Sequence, residues 1–332
     1  MAKVKPTASV SLDLDNQWSY MRTHGDAGWD SYPSYLAEVV PLALQALAAQ
    51  GLKATVFLVG RDAQSHRELL RQIPEKGHEV GNHSQNHLQW LHQLPRPELE
   101  REIVQAEDAI VAATGIRPRG FRGPGFACSA TLLQILAERG YEYDCSTFPT
   151  FIGPLARSYY FMTARKLTTQ EKEERQDLFG DVRDGFRPLR SYLWTFDRGA
   201  GPTQAPLPEL LEIPVTTMPG ARTPIHMSYV LYLAQRSSFL ALRYLQTALR
   251  LCELLKIEPS FLLHPLDFIS GDTCSALRFF PAMAMPATDK RALVGRALHM
   301  LADRFDVVPM GEHARRLRAS GSLPRKKPDL AA

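Results

Sequence analysis

Short apolar runs alternate with longer amphipathic segments along most of the chain, and this alternation restricts the fold more than any other feature of the sequence. Each apolar run has the length of a buried strand, and the segments between the runs have the apolar spacing of helices. Strands that alternate with helices form βαβ units, in which the strands are parallel. The sequence therefore predicts an α/β fold built on a parallel sheet or barrel.

The pattern predicts about eight strands, with helices between most of them. The predicted strands are residues 10–15, 54–59, 79–83, 120–123, 141–145, 210–215, 261–264 and 307–309. The predicted helices are residues 32–50, 62–75, 96–114, 131–139 and 228–256. Gly115 is expected to end the third of these helices. The region 153–208 breaks the rhythm with mixed charges and aromatic residues, which predicts an insertion or a lid.

The 332 residues suffice for one large domain, which we assign to residues 1–312, followed by a tail at residues 313–332. The tail carries six lysines and arginines against one aspartate, so it accounts for the formal net charge of +4. We expect a solvated, disordered terminus there, with a contact to anionic lipid as the alternative. So mild a charge does not favour nucleic acid as a partner.

Several features bear on where the protein acts. The sequence starts without a long apolar h-region and contains no apolar run of the ~18 residues that a membrane span needs. We therefore expect a cytoplasmic protein, and the four scattered cysteines favour reduced thiols over a thiolate zinc site. Helix 228–256 is expected to pack on the core. The alternative is peripheral contact with the inner face of the membrane.

The strongest local pattern is a pair of histidines, His83 and His87, directly after a predicted strand. If the segment turns helical, both imidazoles face the same side, and imidazole is a preferred ligand of zinc and related ions. Asp13 and Asp15 lie at the end of the first predicted strand and point to the same face. One carboxylate completes a three-residue metal site, and the other suits a general base.

Two further segments follow predicted strands. In the first, Arg122 suits a bidentate contact with a carboxylate, and the turn through Pro124 and Gly125 allows the Gly125 amide to face a substrate oxyanion. In the second, His264 directly follows an apolar strand and suits a general acid for a leaving amine. Each segment alone also has an ordinary structural reading, as a βα turn with a solvent-facing arginine or as a structural histidine.

Taken together and in this order, the four segments resemble the polysaccharide deacetylase family, carbohydrate esterase family 4. Residues 83–87 match the family motif H-[ST]-x-x-H in full. Arg122 and Pro124 match the motif R-x-P-x-G, and residues 262–264 match L-x-H. The motifs span residues 11–264, so the resemblance covers most of the chain.

The resemblance implies a distorted (β/α) barrel and an amide hydrolase that removes an N-acyl group, acetyl first, from a sugar. It implies Asp13 as the base, Arg122 as the residue that orients it, and His264 as the acid. It also implies one divalent metal ion, Zn²⁺ by default with Co²⁺, Ni²⁺ or Fe²⁺ as alternatives, held by Asp15, His83 and His87. Oxyanion and substrate contacts are expected from Gly125, Pro124, Phe126 and Trp18.

The sequence departs from the family in three places. Leu14 splits the usual Asp-Asp pair into D-x-D, and Phe126 stands where a glycine is usual. The Asp-Trp motif that pairs with the acidic histidine is not found, which leaves Asp267 and Asp144 as candidate partners of His264. The D-x-D form looks more like branches that include lipid-linked deformylases and hydrolases of ureides or cyclic imides.

Three functions remain open at this point. The first is removal of an N-acyl group from a nucleotide- or lipid-linked glycan precursor, since a cytoplasmic protein does not meet the cell wall. The second is a deformylase, or an amidohydrolase for a cyclic imide or ureide, since the scissile bond is chemically similar. The third is a metal- or sugar-binding protein without catalysis. Asp13 and His264 argue against the third, because a binding protein needs neither a base nor an acid.

Overall fold

The computed structural model describes residues 5–155, 168–169, 175, 180–197, 207–321 and 323–329. Within these residues the strands form one sheet, in which all neighbours are parallel except one antiparallel pair. The strands are β1 (Thr7–Leu14), β2 (Thr55–Leu58), β3 (Glu79–Asn82), β4 (Gly120–Phe121), β5 (Tyr143–Asp144), β6 (Tyr192–Trp194), β7 (Leu210–Glu212), β8 (Ser260–Leu263), β9 (Asp306–Val308) and β10 (Arg325–Lys326). Their order is β10-β6-β7-β5-β4-β3-β2-β1-β8, with β9 paired to β1 and β6 antiparallel to β7.

The sheet closes on itself through the chain that follows β7. Thr216 donates its backbone N–H to the Ser260 carbonyl at 3.2 Å, and the Ser260 N–H donates to Thr216 Oγ1 at 2.8 Å. Ser260 is the first residue of β8, which lies at the other end of the strand order. The strands from β7 to β8 therefore enclose an interior as a distorted barrel, and β6 and β10 extend the sheet outside it. This confirms the α/β barrel that the sequence predicted.

In the described part of the chain, helices lie between most of the strands. They are α1 (Gln17–His24), α2 (Leu36–Ala48), α3 (Gly60–Ser65), α4 (Arg67–Glu75), α5 (Arg96–Thr114), α6 (Ala130–Glu138), α7 (Met227–Ala234), α8 (Ser238–Leu254), α9 (Ala287–Arg304) and α10 (Met310–Ala319). Among the described residues, no helix is both long enough and apolar enough to cross a bilayer.

Strand β1 shows how the barrel positions polar groups. Its residues are buried on both faces, and Val10 and Leu12 belong to the apolar core beneath the helices. Because successive strand residues point to opposite faces, Ser11 and Asp13 point into the barrel, where both accept hydrogen bonds from Arg122. A column of polar groups thus leads to the carboxyl ends of the strands, where the active sites of β/α barrels form.

Two predicted helices are each divided in the structure. Predicted helix 62–75 is α3 and α4, with the break at His66, and predicted helix 228–256 is α7 and α8. Ser237 caps α8, since its hydroxyl accepts the Leu240 N–H at 3.3 Å while its backbone is extended. The apolar spacing continues across both breaks, so hydrophobic periodicity did not reveal where each predicted helix is interrupted. Helix α5 has its predicted bounds, and Gly115 ends it with φ 72°.

Residues 313–321 and 323–329 differ from the disordered tail that the sequence predicted. His313, in α10, is fully buried, and β10 pairs with β6. Cationic side chains of this segment form ion pairs, Arg316 with Asp306 and Arg325 with Glu209. A local charge count could not reveal these partners, because Glu209 lies far away in the sequence.

The predicted insertion at residues 153–208 lies partly outside the described residues. The lid that the sequence predicted there stays a prediction. Its described part contains a 3-10 turn, Val182–Phe186, and strand β6. The insertion therefore contributes a strand to the sheet, which the sequence pattern did not predict.

Candidate metal centre and active site

Asp15, His83 and His87 converge at the carboxyl ends of β1 and β3. His87 Nε2 lies 3.0 Å from Asp15 Oδ1, and His83 Nε2 lies 3.3 Å from the same oxygen. One ligand atom from each residue lies within 4.8 Å of the other two, and all three residues are buried. Two imidazoles and one carboxylate are a donor set that zinc and related divalent ions accept.

The hydrogen bonds around this cluster fit a metal ion. His83 Nδ1 lies 2.7 Å from the Arg122 carbonyl oxygen, and because a carbonyl only accepts, Nδ1 carries the proton. The Nε2 lone pair of His83 therefore faces Asp15 Oδ1, a buried oxygen that accepts no hydrogen bond within the described part of the chain. Two facing acceptors repel each other unless a cation lies between them. A metal ion supplies that cation, with the second nitrogen of His83 already held.

The charges around Asp15 keep this carboxyl group ionised. Burial alone raises the pKa of Asp15, but His87 and His83 outweigh burial and hold this pKa well below its ordinary value. Asp15 is therefore a carboxylate, which is the form that a metal ligand requires.

Two tyrosines that lie outside the motifs donate hydrogen bonds to Asp15. The Tyr20 hydroxyl donates to Asp15 Oδ2 at 3.1 Å, and the Tyr35 hydroxyl donates to the Asp15 backbone carbonyl at 2.8 Å. Both tyrosines are buried, and burial together with the Asp15 charge raises the pKa of each phenol. Oδ1 of Asp15 is thereby left to face the histidines.

A loop brings His83 and His87 together, where the sequence predicted a helical turn. Ser84 and His87 have φ values of 64° and 49°, a region that non-glycine residues rarely adopt. Asn82 Oδ1 accepts the Ser84 N–H at 2.8 Å, and Ser84 Oγ accepts the His87 N–H at 3.1 Å. Short polar side chains thus take the place of helical hydrogen bonds. They hold a strained backbone of the kind that clusters at functional sites.

Asp13, the second carboxylate, lies between a buried arginine and a histidine. Arg122 Nη1 donates to Asp13 Oδ1 at 2.7 Å and to Ser11 Oγ at 2.8 Å, and Arg122 Nε donates to the Cys145 carbonyl at 3.1 Å. On the other side, His264 Nε2 lies 4.0 Å from Asp13 Oδ2. Burial alone lowers the pKa of Arg122, but Asp13 outweighs burial and raises it, so the guanidinium stays charged. This arginine points into the barrel and not to solvent.

The structure supplies the partner of His264 that the sequence left open. Ser228 Oγ lies 3.1 Å from His264 Nδ1 and donates to Asp267 Oδ1 at 2.8 Å. Asp144, the other candidate, accepts from the Ser146 hydroxyl at 2.7 Å instead. Asp267 therefore reaches the imidazole through Ser228. Sequence reasoning missed Ser228 because it lies in a segment whose apolar spacing was the only signal considered.

The turn after Arg122 is a 3-10 turn, Pro124–Phe126, in which Gly125 has φ 59° and Phe126 has φ 65°. Phe126 thus occupies the left-handed region, which explains why a glycine suits this position in the family motif. The Phe126 ring packs on Phe148, with 4.6 Å between centroids. Phe126 therefore places an aromatic ring, in a strained backbone, at the edge of the turn.

Trp18 has the contacts of a packing residue. It is buried, and its indole N–H donates to Asp62 Oδ1 at 3.0 Å. Its ring lies 5.8 Å from that of Trp29, and the Arg61 guanidinium lies 4.8 Å from its centroid. The predicted substrate contact of Trp18 stays a prediction.

His226 is a further imidazole beside the acid candidate that sequence reasoning missed. Its ring lies 6.0 Å from that of His264 and 5.5 Å from that of Phe148. Burial, with a smaller effect from His264, lowers the pKa of His226 to about 3, so this ring is neutral. A neutral imidazole offers both a donor and an acceptor at the edge of the site.

A buried pair of carboxyl groups lies behind the Arg122 turn. Asp144 of β5 and Glu212 of β7 are neighbours in register, and both carboxyl groups are fully buried. Burial raises the pKa of both groups, and Asp144 raises that of Glu212 further. Ser146 Oγ donates to Asp144 and accepts the Gly123 N–H at 2.8 Å. The pair is thereby linked to the turn that carries Gly125.

Residues 26–143 match the family model described as polysaccharide deacetylase. This region, about a third of the chain, is therefore similar to the polysaccharide deacetylase family. The matched region includes both histidines of the cluster, the buried arginine and the turn that follows it. Asp13, Asp15 and His264 lie outside this region, so their assignment rests on their motifs and on the geometry described above.

Curated members of the family match parts of this chain. A peptidoglycan-N-acetylglucosamine deacetylase of Bacillus cereus is 29% identical over 140 residues, which cover 42% of this chain and 62% of that protein. A chitooligosaccharide deacetylase of Sinorhizobium fredii is 30% identical over 132 residues, which cover 37% of this chain and 61% of that protein. The chain thus spans less than two thirds of the length of either relative.

Solved structures share the fold over nearly the whole chain. A polysaccharide deacetylase structure from Mycobacterium smegmatis has a TM-score of 0.61 at 17% identity and covers 98% of this chain and 95% of its own. An allantoinase has a TM-score of 0.58 at 17% identity and covers 96% of this chain and 92% of its own. The two TM-scores show a shared (β/α) barrel-type fold, and identities this low show nothing about substrate.

Proposed function

We propose that this chain is a metal-dependent amide hydrolase that removes an N-acyl group, acetyl first, from a sugar. The observation that carries the proposal is that Asp13 Oδ2 lies 4.0 Å from His264 Nε2, beside the cluster of Asp15, His83 and His87. A base and an acid that face each other next to a metal ligand set are what amide hydrolysis needs. The names of the relatives indicate which acyl group to test first.

In this proposal each side chain has one task. A divalent metal ion bound at the cluster, Zn²⁺ by default, supplies a Lewis acid that activates water and polarises the carbonyl group. Asp13 accepts a proton from the attacking water, and Arg122 keeps this carboxylate ionised and oriented. His264 donates a proton from Nε2 to the leaving nitrogen, which then departs as a neutral amine. The Gly125 amide donates to the developing oxyanion.

The buried ion pair argues against a protein that only binds metal or sugar. Arg122 is fully buried, and it holds Asp13 while also donating to Ser11 and the Cys145 carbonyl. Removing two charges from water costs about as much free energy as their attraction returns, so such a pair contributes little to stability. A pair that holds a carboxylate opposite His264 fits a chemical task better than a structural one.

A narrower proposal is that the substrate is a nucleotide- or lipid-linked glycan precursor. Tyr232 of α7 and Phe239 and Leu240 of α8 are large exposed apolar residues, and Arg236 is exposed between them. Apolar groups beside a basic residue suit contact with an anionic lipid surface. The cations near the C-terminus support this contact less, because several are paired with carboxylates.

Vesicle binding tests the lipid-linked alternative. We expect the protein to co-sediment with phosphatidylglycerol vesicles at low salt, and the exchange of Phe239 and Leu240 for serine to weaken that binding. Two results would count against a lipid-linked substrate: the protein stays in the supernatant, or the double exchange leaves vesicle binding unchanged. Either result would favour the nucleotide-linked substrate.

Metal content and product release test the main proposal together. We expect about one transition-metal ion per chain, lost in a His83→Ala/His87→Ala variant, and metal-dependent acetate release from N-acetylated sugars. Formate release alone would favour a deformylase, and ring opening of a cyclic ureide or imide would favour that class of amidohydrolase. Metal binding without turnover on any of these would favour the non-catalytic alternative. No metal, even after incubation with zinc and cobalt, would contradict the central claim.

A further inference from the structure

Ser228 links two groups that the sequence alone could not connect. Its hydroxyl oxygen lies 3.1 Å from His264 Nδ1 and 2.8 Å from Asp267 Oδ1. The other oxygen of Asp267 accepts the His264 backbone N–H at 2.8 Å. Asp267 is buried at the end of the 3-10 turn that follows β8, and Ser228 lies in the first turn of α7. Two separate elements thus meet behind one imidazole.

The donor and acceptor roles in this chain of contacts follow from its chemistry. A carboxylate only accepts, so the Ser228 hydroxyl uses its single proton toward Asp267. The hydroxyl oxygen can then only accept from His264, so Nδ1 of His264 carries a proton. This fixes the tautomer and the ring orientation and leaves Nε2, which points toward Asp13, as the atom that exchanges protons with a substrate.

We propose that Ser228 is a positioning residue, which relays the Asp267 carboxylate to His264 and so aims the Nε2 proton at the leaving nitrogen. The inference rests on the proposed function. In the step that Ser228 supports, the C–N bond breaks, its electron pair stays on nitrogen, and the Nε2 proton of His264 moves to that nitrogen. The carbonyl carbon keeps the hydroxyl group from water, whose other proton went to Asp13. Solvent then removes the proton from Asp13 and returns one to His264.

Dependence on the leaving group separates this role from a structural one. An amine leaves an amide only when it is protonated, whereas 4-nitrophenolate leaves an acetate ester without a proton. We expect Ser228→Ala to lower kcat for acetate release from an N-acetylglucosamine oligosaccharide by about 10²-fold, the lower end of what general acid catalysis contributes. The loss on 4-nitrophenyl acetate should be smaller by about tenfold or more, because only the metal and the base are needed there.

Conservative variants control for packing. Ser228→Thr keeps the hydroxyl and should recover most of the amide activity, whereas Ser228→Cys keeps the volume with a weaker donor and should not. Ser238→Ala removes an exposed serine from the neighbouring helix α8 and should change neither activity. Equal losses on amide and ester, or no loss on the amide, would overturn the proposal. Ser228→Cys supplies the comparison if Ser228→Ala does not fold.

A spectroscopic readout makes the inference independent of the substrate. In the zinc-loaded protein with ¹⁵N-labelled histidine, the His264 signals, identified through a His264→Gln variant, should show the Nδ1–H tautomer. In Ser228→Ala or Ser228→Cys this preference should be lost. If the native protein releases no acetate but the tautomer responds in this way, the proposed function fails while the positioning role stands. A tautomer that the variants leave unchanged would overturn the role of Ser228.

Discussion

Arg122 and Asp13 form an ion pair in which Nη1 and Oδ1 lie 2.7 Å apart and both side chains are almost fully buried. Neither charge can turn to water, so each depends on the other. We expect Arg122→Met to lower the free energy of unfolding by about 3–5 kcal/mol, because it leaves the Asp13 charge buried without its partner. Urea denaturation measures this change.

A matched double variant isolates the charge in that comparison. Arg122→Met/Asp13→Asn removes both charges and should be more stable than Arg122→Met alone, although Asp13→Asn by itself is destabilising. Arg122→Met with the stability of the native protein would show that the pair is not held as the structure describes it.

Asp13→Asn tests the base without disturbing the metal ligands. Asparagine keeps the size of the side chain but cannot accept the proton of water, so turnover should fall by about 10²–10⁴-fold. Metal content should stay that of the native protein, because the cluster is formed by Asp15, His83 and His87. Elemental analysis and acetate release on the same preparation measure both. Near-normal turnover with metal bound would remove Asp13 from its proposed role.

Two tyrosines offer a matched test of the metal centre. Tyr20 donates to the carboxylate of Asp15, whereas Tyr35 donates to its backbone carbonyl. Groups that orient a metal ligand typically contribute 10–100-fold in affinity, so Tyr20→Phe should weaken zinc binding by about that factor. Tyr35→Phe should affect zinc affinity less while removing the same kind of atom. Competition with a chromophoric chelator measures both, and equal affinities in the two variants would contradict this assignment.

Each short motif lies at the end of a strand, and the structure brings the motifs to one edge of the sheet. Asp13, Arg122 and His264 are brought together as expected, since parallel strands present their carboxyl ends at one edge. The local conformation was predicted less well. His83 and His87 are related by a loop, because side chains of Asn82 and Ser84 satisfy the backbone more readily than a helical turn does.

Long-range partners were beyond sequence reasoning for a physical reason. Ser228 and Asp267 belong to different elements, and only the packing of α7 on the turn after β8 brings them to His264. The same holds for β6, which lies inside the 153–208 region and pairs with β7 just after it, and for β10, whose partner β6 lies far away in the chain. Hydrophobic periodicity reports which face a segment buries and not which segment it meets.

The buried carboxyl pair predicts an unusual dependence of stability on pH. Burial and the neighbouring Asp144 raise the pKa of Glu212 well above its ordinary value, so the folded protein keeps a proton that the unfolded chain releases. The stability from this proton is fully present below the ordinary glutamate pKa of about 4.3 and is lost as the pH rises through the folded value. The pair should therefore make the native protein less stable as the pH increases above that range.

Glu212→Gln isolates this effect, because glutamine is neutral at every pH. We expect the free energy of unfolding of Glu212→Gln to increase relative to that of the native protein as the pH rises. Urea denaturation from pH 5 to pH 9 at constant metal concentration measures this difference. The variant also loses the hydrogen bond from Trp194 Nε1 to Glu212 Oε2, 2.9 Å long, which lowers its stability by a constant amount and leaves the slope unchanged. A difference that does not vary with pH would mean that the folded protein does not raise the pKa of Glu212.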